Sequence, residues 1–219
     1  MNIPGYIYKP ESSVKAKKLG RSLGYLNGIS YHEPGPKICT PKFKLCINDC
    51  YYNSGQLGMP VQKKALQERS GLFKNDFSTW LMMLEIDIRK HIRQAEKLGL
   101  KPSFRLNGTS DIKTQDLGII EKYKEVQFYD YTKDFYEYSI HKNYYLIYSY
   151  DGTNWGDCLK KLRDGFNVAI VFDKIPETFK GFAVSDGDNH DLRFLDRPGQ
   201  VIGLKPKGKL RKNKGIKWE

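Results

Sequence analysis

The clearest pattern along the chain is a run in which Phe77, Trp80, Leu81, Leu84, Ile88, Ile92, Ala95 and Leu98 recur at intervals of three and four residues. That spacing lays one apolar stripe along an α-helix. Asp76 stands where an N-cap is needed and Gly99 where a helix ends. Met82, Met83, Asp87, Arg89 and Lys90 fall off the stripe, and His91 flanks it. Before this element the pattern predicts a short strand at 24–31, a Pro/Gly break and a first helix near 61–69. After it, short apolar runs alternate with amphipathic ones. Strands are predicted at 103–108, 126–131, 144–150, 167–172 and 201–205, with a brief apolar run at Ala183–Val184. Helices are predicted at 115–124 and 154–165, the second closed by a glycine.

Strand–helix repetition of this kind implies an α/β fold with a mostly parallel sheet and crossover helices. The strand count fits an incomplete (β/α) barrel or an open sheet, and the barrel-like arrangement is preferred. In either, the C-terminal ends of the strands share one edge, where sites are built. Polar residues follow the predicted strands in turn: Arg105, Asn107 and Asp111, then Asp130 and Lys133, then Asp186, Asp188 and His190, then Lys205 and Lys207. Of these, Arg105, Asn107 and Asp130 are expected to bind substrate. Asp111, Lys133, Asp186, Asp188 and His190 are expected to orient groups or move protons.

Charge divides the chain further. The formal net charge of the 219 residues is +12. Residues 1–21 hold five lysines and arginines against one glutamate, and residues 205–219 hold seven against one. The ends therefore carry most of the excess, and the body is nearly neutral. The expected organisation is a basic segment at 1–23, a single α/β domain at 24–205 and a basic tail at 206–219. Lys205, Lys207, Lys209 and Arg211 are placed to meet the phosphates of DNA or RNA. No apolar run is long enough to span a bilayer and no secretory leader is evident, so no membrane partner is expected. The oligomeric state is open.

Three of the four cysteines, Cys39, Cys46 and Cys50, lie in the segment ICTPKFKLCINDCYY. Clustered thiols without a secretory context point to soft-metal ligation, by an iron–sulfur cluster or by zinc. Cys158 joins them only if the fold brings it back, and His32 is another candidate ligand. A second site-like stretch is SDGDNHDLRFLD, whose Asp186, Asp188, His190 and Asp191 suit a hard cation or acid–base work. DYTKDFYEY and KNYYLIYSY make a dense tyrosine zone in which exposed rings beside lysines would stack on unpaired bases.

Between about Ser13 and Lys212 the chain resembles a group of bacteriophage proteins. The likeness rests on the GYLNGISY lead-in, the Cys-x6-Cys-x3-Cys-Tyr loop, LGLKPSFRLNGTSDI, VQFYDYTK, NVAIVF, DGDNHDLRFLD and VIGLKPKGKLRK. It implies a phage origin and action in the cytoplasm of the infected cell. More remotely, a three-cysteine loop just after the first strand of a partial barrel is similar to radical S-adenosylmethionine enzymes, whose usual spacing is C-x3-C-x2-C. That likeness implies a three-thiolate iron–sulfur cluster, with S-adenosylmethionine as its cofactor. The expected function is a metal- or iron–sulfur-dependent enzyme acting on a nucleic acid or nucleotide. Two alternatives stand beside it: a non-catalytic nucleic-acid-binding protein with structural zinc or no metal, and a metal-dependent nuclease using the 186–191 loop.

Overall fold

The structure is a computed structural model that describes residues 4–17, 19–39, 50–53 and 55–207. Among these, eight strands form one sheet in the order β1-β2-β3-β4-β5-β8-β7-β6. They are β1 (Tyr25–Ile29), β2 (Lys101–Arg105), β3 (Gln127–Thr132), β4 (Tyr144–Ser149), β5 (Asn167–Val171), β6 (Thr178–Phe179), β7 (Phe182–Asp186) and β8 (Val201–Leu204). Every neighbouring pair is parallel except β6 with β7, which form an antiparallel hairpin. The sheet is open, with β1 and β6 at its edges, so the barrel-like alternative gives way to the open one. The first five strands still lie side by side in chain order. Successive right-handed crossovers in one direction place their helices on one face of the sheet.

The core reflects that winding. Helices α2 (Pro60–Asn75), α3 (Phe77–Lys97), α4 (Ile119–Lys122) and α5 (Trp155–Arg163) follow a one-turn α1 (Val14–Lys17). Trp80, Leu84 and Ile88 of α3, Ile119 and Ile120 of α4 and Leu162 of α5 share one buried cluster with Phe104, Phe128, Leu146, Val168 and Val201 of the strands. The opposite face carries a smaller cluster of Tyr129, Ile147 and Ala169, covered by Tyr131, Tyr145, Phe194 and Leu204. Below, these are the helix face and the open face.

The apolar stripe becomes α3, with Trp80, Leu84, Ile88 and Ala95 buried and Phe77 and Leu98 exposed at its two ends, and the Asp76 carboxylate caps it by accepting from Thr79 N at 3.1 Å. Gly99 follows the last turn with φ +64°. The first helix runs further than 61–69, because Pro60 opens it at the first-turn position and it continues to Asn75. The helix expected at 115–124 is broken into a 3-10 turn and one α turn at Gly118, whose φ of +68° no continuous helix accepts. The apolar run at Ala183–Val184 is the centre of β7, and the two-residue β6 has no counterpart in the pattern.

Residues before β1 belong to the core. Asp87 of α3 accepts from Ile7 N at 2.7 Å and Tyr8 N at 3.2 Å, drawing both residues into burial. His91 is buried rather than flanking. Its Nε2 donates to Leu26 O at 2.9 Å and its Nδ1 accepts from Tyr8 Oη at 3.0 Å. Burial pushes its pKa down to about 4, so it is a neutral structural residue.

Candidate functional site at the C-terminal strand edge

Parallel strands deliver their following loops to one edge, and the loop after β1 is the cysteine loop. Cys39 is half-buried at its start and Cys50 buried at its end. Cys46 lies outside the described residues. Cys50 packs with Ala16, Ile29 and Tyr31, so the far end of the loop sits on the open-face side of β1. The loop after β2 presses against the same strand end. Gly108 N donates to Ser30 O at 2.9 Å, and a Cβ at Gly108 would meet Ser30 O and the Tyr31 ring at 2.5 Å. Only glycine permits that approach. Asp111 N then donates to Ile38 O at 2.9 Å, tying this loop to the residue before Cys39.

On the helix-face side of the edge is a buried acidic cluster. Asp130, on β3, accepts from Asn107 N at 2.7 Å, from Thr114 Oγ1 at 2.5 Å and from Tyr144 Oη at 3.4 Å. Asn107 in turn organises the 107–114 loop. Its Oδ1 accepts from Ser110 Oγ and Ile112 N, and its Nδ2 donates to Ile112 O. Asp111 lies close enough to raise the Asp130 pKa, and its Oδ2 accepts from Lys133 N at 3.4 Å. Glu137, which no spacing rule singled out, completes the group. It is 5% exposed, and its Oε1 has no hydrogen-bond partner. Burial first, and then the neighbouring Asp130 and Asp111, push Glu137 up to about 7. Burial lifts Asp130 to about 7 against the opposing pull of its hydrogen bonds. The sequence-selected Asn107, Asp111, Asp130 and Lys133 therefore do come together. Asn107 and Asp130 face each other and the loop backbone, as its scaffold.

Arg105 is on the open face, where it belongs to a charge-matched network. Its Nε donates to Asn107 O at 3.0 Å, its guanidinium lies 4.3 Å above the Tyr131 ring, and Nη1 reaches Asp191 at 3.5 Å. Tyr129 Oη donates to Asp191 Oδ2 at 2.9 Å, and Asn27 Nδ2 donates to Tyr129 Oη at 2.9 Å. Burial works against the charge on Arg105, but Asp191 and the surrounding tyrosines hold its pKa above the ordinary value. Asp191 arrives on the β7–β8 connection, which crosses this face. Phe194 of that segment meets the rings of Tyr25 and Tyr129, and the buried Arg193 pairs with Asp196 at 3.3 Å.

The remaining acids of the 186–191 stretch do not converge with Asp191. Asp186 faces Lys205 Nζ at 3.7 Å, while Asp188 accepts from Lys205 N at 3.0 Å and Lys207 Nζ at 3.2 Å. His190 takes Arg193 Nη2 on its Nδ1 and faces Asp196 with its Nε2 at 3.6 Å, and burial lowers its pKa. Lys209 and Arg211 lie outside the described residues. Among the described residues no three His, Cys, Asp or Glu side chains are grouped to hold a metal ion. Cys158 sits in the helix-face core, and burial pushes its thiol up to about 12. His32 is fully buried beside Phe73 and Trp80, and burial, with Arg69, pushes it down to about 3. No helix among the described residues is long and apolar enough to cross a membrane.

Residues 9–219 match the model of a family described as Gene product 88. The chain belongs to that phage-type family. No curated protein and no solved structure matches it.

Proposed function

We propose that this member of the Gene product 88 family is a phage-encoded metal- or iron–sulfur-dependent enzyme that acts on a nucleic acid or nucleotide in the infected cell. One observation carries the reading: the Asp111 N to Ile38 O bond, which joins the buried acidic cluster to the start of the cysteine loop. The donor chemistry fits a soft metal centre. Cys39 and Cys50 stand at the two ends of the loop, and Cys50 is set among Ile29, Tyr31 and Leu66, a largely apolar shell. Cys39, Cys46 and Cys50 would hold the centre. Bound there, such a centre would supply redox or Lewis-acid chemistry and, as an iron–sulfur cluster, would bind S-adenosylmethionine.

The chain's own residues do the rest. Asp130 and Glu137, both near 7, together hold and release a proton at neutral pH. Arg105, fixed over Tyr131, orients an anionic group on the open face. Lys205, Lys207 and the basic tail leave β8 at this same edge, where phosphates would release their counterions.

The test is anaerobic purification with metal and sulfide analysis. The reading expects iron, inorganic sulfide and a brown protein whose colour is lost in Cys46→Ala. Colourless protein with one equivalent of zinc would turn the reading into a nucleic-acid-binding module. Plasmid nicking that needs Mg²⁺ or Mn²⁺ and disappears in Asp188→Ala would turn it into a nuclease.

A further inference from the structure

We propose that the β3–β4 connection is a stacking platform for unpaired bases, so that the nucleic acid received at this edge is single-stranded. The inference rests on the nucleic-acid reading above and names its substrate class. Residues 135–138 of the connection alternate between buried and exposed. Phe135 and Glu137 turn inward, whereas Tyr136 is 83% exposed, Tyr138 49% and Ile140 84%. Among the described residues Ile140 and Tyr136 are the two most exposed large apolar side chains, and they sit four residues apart on one loop. Scattered exposed apolar groups are ordinary, but adjacent ones on a fixed loop mark a contact surface.

The loop is held from below, so its outward face is preorganised. Tyr148 Oη donates to Glu137 O at 2.5 Å. The buried Lys161 places its Nζ 3.1 Å from the centre of the Tyr138 ring, 4.2 Å from that of Tyr148 and 5.3 Å from that of Phe166. Thr132 Oγ1 accepts from Asp134 N, and Asp134 Oδ1 accepts from Tyr136 N, each at 3.0 Å. A side chain presented by a rigid loop loses little further freedom on binding.

The surroundings select the occupant by charge. Lys113 and Lys142 are exposed beside the loop and Lys133 is half-buried at its root. Lys113, itself exposed, is paired with the half-buried Asp134 at 3.3 Å. Two strand positions beyond β4, β8 is followed by Lys205 and Lys207, which face Asp186 and Asp188 at the same edge. At about 4.8 Å per strand, a chain of a few nucleotides connects the two. Rings flanked by lysines suit splayed bases with their phosphates, whereas a duplex keeps its base faces covered.

Fluorescence anisotropy on the full chain tests this with labelled oligo-dT, oligo-rU and a duplex of equal length. The single strands are expected to bind more tightly than the duplex, with affinity falling as salt rises. A preference between dT and rU identifies the natural strand as DNA or RNA. Tyr136→Ala is expected to weaken binding by about 5- to 100-fold, with Tyr136→Phe close to wild type. Both positions are on the surface, so an unchanged melting temperature establishes that the variants remain folded. Equal binding of duplex, absence of binding, or unchanged affinity in a Tyr136→Ala/Ile140→Ser double variant would overturn the proposal. The metal analysis is a separate readout: a colourless protein that binds single strands through Tyr136 leaves this inference standing while the enzyme reading falls.

Discussion

Two groups of buried charge lie back to back across β2 and β3, and they solve burial in opposite ways. On the open face Arg105 meets Asp191 and Arg193 meets Asp196, cation against anion. On the helix face Asp111, Asp130 and Glu137 crowd together, and the hydrogen bonds given to Asp130 come from neutral donors, Asn107 N, Thr114 and Tyr144. Arg105, linked to this side through Asn107, lowers the Asp130 pKa without offsetting its burial, and Lys161 is held by aromatic rings and by Tyr148 Oη. Despite its burial, the Arg105 guanidinium beside Asp191 is held above its ordinary pKa, whereas burial lifts Asp196 to about 6 against the pull of Arg193. Unmatched carboxylates in a low dielectric move toward neutrality, which makes them responsive to pH. The first arrangement fixes its side chains by opposite charge, and the second has the properties of a proton-handling site.

The largest effect is expected on the matched side. Asp191→Ala leaves the Arg105 guanidinium buried without its carboxylate and takes one of the two acceptors of Tyr129 Oη, so denaturant unfolding should report a loss of about 3–5 kcal/mol. A near-neutral result would mean that Arg105 swings to solvent and that the network is not fixed.

Glu137→Gln probes the unmatched side. The folded-state pKa of Glu137 is raised from 4.5 to about 7, so the folded protein binds the extra proton and stability falls as pH rises through that window. Gln cannot ionise. The variant should match wild type near pH 4.5 and become relatively more stable at pH 8 by on the order of 2 kcal/mol. The difference between the two proteins is the correct readout. His32 and His91, lowered to about 3 and 4, act in the other direction below their usual 6.5 and partly mask the absolute curve. A pH-independent difference would remove Glu137 from the proton-handling role.

Lys161→Met sharpens the contrast, because it removes a cation that is held by rings. Loss of the contacts with Tyr138, Tyr148 and Phe166 should cost about 1–2 kcal/mol, and the loss should be insensitive to salt, as expected for a desolvated cation–π contact. Hydrogen exchange at residues 135–141 should rise in the same variant, since Tyr138 loses its clamp.

The regular elements were legible because each is a local pattern. The stripe from Phe77 to Leu98 and the β-branched NVAIVF run state their own periodicity, and Asp76 and Gly99 mark helix ends through backbone chemistry. The parallel sheet followed from alternation alone. Glu137 was not legible. It stands in DFYEY among aromatic neighbours, its carbonyl is held by Tyr148 Oη, and its pKa is raised by burial and by the carboxylate of Asp130, which comes from β3. The pairing of Asp191 with Arg105 spans 86 residues and is set only when the β7–β8 connection crosses the open face. The acidic stretch at 186–191 looked like one site because its residues are adjacent in sequence, but a turn sends adjacent side chains in different directions. Asp186 and Asp188 meet lysines at the rim, while Asp191 goes under the sheet.

The sequence by itself determined the kinds of element, the α/β class, the concentration of positive charge at the two ends and the thiol cluster after the first strand. These are properties of periodicity and composition, which need no partner to be read. Tertiary structure decided that the sheet stays open, that the cysteine loop is joined to the loop after β2, and which acids are paired and which are crowded. Those outcomes depend on burial and on contacts between distant residues, and both exist only once the strands have been placed side by side.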